Sequence, residues 1–145
     1  MNDIKLYRRP FKLGLQLWKI TVGFVLYGDI RVYLSNDLTR GIGYLRKRNT
    51  MFPHPVGIVI GKDVEIGRDC IVYQNVTIGG VLNKQGIHVY PKIGNNVIIY
   101  ANSIIIGDIS IGDDVVIGAG TFVNRDIPSR SLVYGLPLVV KPNSL

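Results

Sequence analysis

A period of six residues governs this chain. From Ile60 it reads IGKDVE, IGRDCI, VYQNVT and IGG, breaks off, and resumes at Ile93 with IGNNVI, IYANSI, IIGDIS, IGDDVV, IGAGTF and VNRDIP. The first position of each unit is Ile60, Ile66, Val72, Ile78, Ile93, Ile99, Ile105, Ile111, Ile117 or Val123, β-branched throughout. The fifth is Val64, Cys70, Val76, Val97, Ser103, Ile109, Val115, Thr121 or Ile127, small or branched, and the second is often Gly. Neither the 3.6 period of an α-helix nor the strict alternation of a half-buried strand produces this pattern. A chain that makes a short strand and turns every six residues does, and three such units close a triangular coil. Positions one and five then point inward and stack from coil to coil. Each buried branched side chain contributes ~1.5–3 kcal/mol, and a coil is stable only through its neighbours. Cys70 falls on position five and reads as a core residue. Glycine at position two suits a corner that needs positive φ or close backbone approach. The expected fold class is mainly β, a parallel β-helix.

The rest of the chain is organised around that repeat. The β-helix is expected over residues 51–130, with a loop ejected at 80–92, a basic amphipathic segment over 1–50 and a tail over 131–145. Leu13, Leu17, Ile20 and Phe24 keep helical spacing and predict helix within Leu6–Leu34, against the weakening effect of Gly14, Gly23 and Gly28. At least part of 35–53 is expected to form a first, irregular coil. The net charge of +7 belongs to the N-terminal segment, where ten Lys/Arg face Asp3, Asp29 and Asp37. Such a segment suits a solvated basic face or shallow docking on an anionic membrane. No nucleic-acid motif accompanies it. The single cysteine excludes an internal disulfide framework. The longest apolar run, Ile20–Tyr27, is short of the ~20 residues that span a bilayer. No cleavable signal is expected, and the location expected is cytoplasmic, with peripheral contact at the inner membrane face.

The segment His54-Pro-Val-Gly-Ile-Val-Ile-Gly, with Tyr73-Gln-Asn-Val-Thr-Ile-Gly-Gly, the loop ending in Pro91-Lys92-Ile93-Gly94 and the later Gly135-Leu136-Pro137, resembles serine acetyltransferases. It looks closer still to their short relatives that acetylate sugars of surface polysaccharides. The resemblance implies a left-handed β-helix, a homotrimer with sites between subunits, and acetyl-CoA as co-substrate lying along a groove beside the coils. It places the catalytic base at His54, which fits imidazole's ability to take a hydroxyl proton near neutral pH. The family's loop histidine precedes the Pro-Lys-Ile segment directly. Tyr90 stands there and His88 two residues earlier, so both are candidates for holding the acceptor. The carboxylate that orients the base has no direct match, since Thr39 occupies its place; Asp29 is preferred and Asp37 is the alternative. For acetyl-CoA the resemblance implies Gly79, Gly80, Lys92, Gly118, Ala119, Gly120, Gly135, Pro137 and Lys141, with Arg125 and Arg130 as further phosphate partners. No metal is implied, because the metal-binding members of the superfamily use three histidines and this chain has two. The displaced loop histidine and the short stretch ahead of the repeat favour a sugar hydroxyl as acceptor. Serine is the close alternative and a non-catalytic scaffold the distant one.

Overall fold

The structure, a computed structural model, describes residues 36–135 and 138–143. The expected N-terminal helix, its membrane contact, Asp29 and Pro137 lie outside the described residues. Within them, the hexads build the left-handed parallel β-helix expected of them. The first wall stacks β1 (Asp37–Leu38), β2 (Val59–Ile60), β5 (Thr77–Gly79), β10 (Ile104–Ile106) and β13 (Phe122–Val123). The second stacks β3 (Glu65–Ile66), β8 (Lys92–Ile93) and β11 (Ser110–Ile111). The third stacks β4 (Ile71–Val72), β9 (Ile98–Ile99), β12 (Val116–Ile117), β14 (Ser131–Tyr134) and β15 (Val139–Pro142).

Register follows the repeat. Ile60, Ile78, Ile105 and Val123 pair in succession on the first wall, Ile66, Ile93 and Ile111 on the second, and Val72, Ile99, Ile117 and Val133 on the third. All are buried, as are the fifth-position residues between them. Cys70 is fully buried among them, its thiol donating to the Gly94 carbonyl at 3.3 Å. Ser103 and Thr121 enter the same core by capping the Gly118 carbonyl at 2.9 and 2.6 Å, so neither hydroxyl is left without a partner.

The corners divide between them the two requirements named for glycine. Positive φ falls on position four, not two: Asp69, Asn96 and Asp114 turn from the second wall to the third, and Asn75, Asn102 and Gly120 from the third to the first, all with φ between 54° and 67°. Asn and Asp tolerate this left-handed conformation better than other chiral residues. On the second wall, at Gly67, Gly94 and Gly112, close approach is the reason for glycine at position two. A Cβ on Gly94 would lie 2.7 Å from the Gly112 carbonyl carbon of the next coil.

The ejected loop is itself ordered as a hairpin. Ile78 and Ile93 are fifteen residues apart, nine more than one hexad, and the excess forms β6 (Val81–Leu82) and β7 (His88–Val89), antiparallel with Leu82 opposite His88. Asn83 closes its turn, its Oδ1 accepting from the N–H of Gln85 at 3.0 Å and of Ile87 at 2.9 Å. At the open end of the coil, α1 (Ile42–Lys47) lowers the fully buried Leu45 onto the core. After Pro128 the short strand β14 completes the third wall, and in place of an extended tail β15 folds back antiparallel on it.

Candidate functional site

His54 lies in the turn that enters β2, and its surroundings are fixed by backbone. Pro55 is buried beside it. The Asn36 side chain holds both sides of the turn: Nδ2 donates to the Pro55 carbonyl at 2.9 Å and Oδ1 accepts from the Ile58 N–H at 2.7 Å. The Asp37 N–H donates to the Ile58 carbonyl at 2.9 Å, which ties β1 to the same turn. The imidazole is exposed.

The edge between the third and first walls carries His54 and several other expected residues. Along it, Asn75 N–H donates to the Val56 carbonyl (2.9 Å), Asn102 N–H to Gln74 (3.1 Å) and Gly120 N–H to Ala101 (2.9 Å). The His54 turn and the Gly118-Ala119-Gly120 corner are thus the first and last rungs of one ladder. Between them lie Tyr73 and Tyr100, both at position two on the third wall. The Tyr73 ring centroid is 6.1 Å from that of His54, tilted by 49°, and 5.0 Å from that of Tyr100, stacked at 22°. The sequence reading missed both tyrosines as well as Asn36. The signal for the tyrosines was available: two bulky rings at the position where the hexads otherwise favour glycine. Asn36 gave none.

His88 and Tyr90 belong to another edge. They leave the first wall with the hairpin, where it passes to the second. His88 is exposed on β7, its ring 6.2 Å from that of Tyr90. The Tyr90 ring packs over Gly61 and Gly80, where a Cβ would lie 2.8 Å from its Cε1 in either case. Gly80 therefore serves to seat that ring, while Gly79 faces open space. Within one chain, the first wall separates His54 from His88. Lys92 stands exposed on the second wall, 4.0 Å from Glu65. Gly135 has φ +85° just after β14. Lys141 Nζ lies 5.8 Å from the Tyr134 ring centroid and, with Arg130, lines a cavity of about 460 Å³. Arg125 is spent on the Leu138 carbonyl at 2.9 Å. Among the described residues no helix is long and apolar enough to cross a membrane.

Comparison with known proteins places these coils. The family model for bacterial transferase hexapeptide (six repeats) matches residues 90–125. The chain is 44% identical over 84 residues to a serine acetyltransferase of Synechococcus elongatus, covering 58% of this chain and 34% of that one. It is 40% identical over 88 residues to a serine acetyltransferase of Helicobacter pylori, covering 61% and 51%. Among solved structures, the serine acetyltransferase of Neisseria gonorrhoeae superposes with a TM-score of 0.60 at 38% identity, over 66% of this chain and 36% of that one. The soybean serine acetyltransferase apoenzyme gives 0.58 at 37%, over 63% and 38%. The chain thus spans about a third to a half of the length of the curated relatives it matches.

These relatives correct the expectation of a sugar acceptor and of a role in polysaccharide synthesis. Relatives at 40–44% identity are serine acetyltransferases, which favours the serine alternative.

Proposed function

We propose that this chain, a hexapeptide-repeat protein with serine acetyltransferase-like coils, transfers an acetyl group from acetyl-CoA to the hydroxyl of serine. The observation that carries the reading is the rigidly held His54 turn, on the same prism edge as the Gly118-Ala119-Gly120 corner. His54 takes the proton of the serine hydroxyl as its oxygen attacks the thioester carbonyl. The tetrahedral intermediate collapses with cleavage of the C–S bond, and the proton passes from the imidazole to the departing CoA sulfur. Backbone N–H groups facing that edge stabilise the oxyanion. Asp37, tied to the His54 turn through Ile58, is the carboxylate we assign to orienting the base.

Three subunits complete this site. The hairpin carries His88 away from its own His54, and in a homotrimer it reaches the neighbouring subunit's edge to hold the serine. Open corners at Gly79 and Gly120 leave room for the pantetheine arm beside Gly118 and Ala119, and Lys141 and Arg130 offer charge-assisted partners to the phosphates. The test is thiol release from acetyl-CoA with L-serine, with O-acetylserine identified by mass. His54→Ala should lower turnover by ~10²–10⁴-fold while light scattering still gives a trimer mass. A purified trimer that forms no O-acetylserine, or a fully active His54→Ala variant, overturns the reading.

A further inference from the structure

We infer that Tyr73 and Tyr100 are positioning residues for acetyl transfer, a two-ring buttress that sets the orientation of the His54 imidazole. This rests on the reading of His54 as the base. Exposed imidazoles rotate freely about two side-chain bonds, and a base that samples many orientations spends little time aimed at the hydroxyl. Here the described ring next to His54 is Tyr73, at 6.1 Å and 49°, within the range where aromatic pairs attract in tilted geometry. Tyr73 cannot yield easily, because Tyr100 stacks behind it at 5.0 Å and 22°.

That stack is dictated by the coil. Tyr73 N–H donates to the Ile99 carbonyl at 3.0 Å and Tyr100 N–H to the Ile117 carbonyl at 2.9 Å, so both backbones are locked in the third wall. Neighbouring strands lie ~4.8 Å apart, which matches the 5.0 Å ring separation. The ladder therefore stacks two identical side chains on consecutive rungs with almost no adjustment. At the next rung stands Gly118, which interrupts the row of rings before Tyr134, at the corner assigned above to the pantetheine arm. Tyr73 is half-buried and Tyr100 is 40% exposed, so the outer ring is held by the stack and contributes little to the core.

The experiment compares kcat and KM for serine in Tyr73→Ala, Tyr73→Phe, Tyr100→Ala and His54→Ala, each checked for trimer mass and circular dichroism. Tyr73→Ala should lower kcat by about 2- to 12-fold with KM for serine little changed. Tyr73→Phe, which keeps the ring, should stay near the parent. Tyr100→Ala should show a smaller loss of the same kind, and combining it with Tyr73→Ala should add nothing. Should Tyr73→Ala fail to fold, the more exposed Tyr100 decides alone. Parental kcat in both alanine variants while His54→Ala is inactive overturns the buttress but leaves His54 as the base. A rise in KM alone, or failure of Tyr73→Phe to keep activity, also overturns it. Full activity of His54→Ala removes the underlying reading instead.

Discussion

Two glycines in the same hexad position should respond oppositely to the same substitution. At Gly94 an added Cβ would meet the Asp113 carboxylate at 2.5 Å and the Gly112 carbonyl carbon at 2.7 Å. The latter is backbone of the adjacent coil, itself locked by the bond from Gly94 N–H to the Ile111 carbonyl at 2.8 Å, so it cannot rotate away. Gly79 also holds position two, on the first wall, yet an added Cβ would meet nothing within 4 Å. Overpacking a rigid interior costs about 1–3 kcal/mol, while replacing Gly by Ala at a compatible backbone returns about 0.4–1 kcal/mol through the unfolded chain. Gly94→Ala should therefore lose about 1–2 kcal/mol net, or about 2–8 °C in Tm for a chain of this size. Gly79→Ala should be neutral or gain slightly. Thermal unfolding followed by circular dichroism, at one fixed protein concentration because assembly shifts Tm, reads both. Equal shifts in the two variants would refute the claim that coil spacing, not φ, selects glycine here.

Asn36→Ala removes both clamps on the His54 turn and should cost about 1–3 kcal/mol, read by urea unfolding, with a larger effect on kcat than on KM. Burial raises the pKa of the Cys70 thiol, with Asp69 and Asp113 adding to it against a backbone hydrogen bond. The folded state then holds its proton more tightly than the unfolded chain does. This stabilisation is complete below the unfolded thiol's pKa of ~8.5 and is lost as pH rises above it. Stability should accordingly fall less between pH 8 and 10 in Cys70→Ala, and iodoacetamide at pH 8 should label Cys70 only after unfolding.

The hexads made the prism legible because burial in a β-helix is strictly local in pattern. Ile60 or Ile99 points inward for a reason visible within its own six residues. Val133 extends the third wall by one rung beyond the last regular hexad, after a spacing of sixteen from Ile117, and so escaped the count. The hairpin read only as a loop, since its two-residue strands are too short to show alternation. Site residues divide the same way. His54 stood out through a motif, whereas Asn36 acts through a contact twenty-two residues away, at Ile58, that no local pattern announces. Tyr73 and Tyr100 are neighbours only because the nine inserted residues drop out of the coil count.

That dropping out carries a consequence for how such a protein can change. The hairpin leaves and rejoins the coil at the same phase, so its length is independent of the frame beneath it. Excising nine residues between Ile78 and Ile93 would restore an uninterrupted hexad, and exchanging them would alter what the arm carries without shifting a single inward-facing side chain. What the arm carries is thus an interchangeable attachment, free to vary on a chassis that does not.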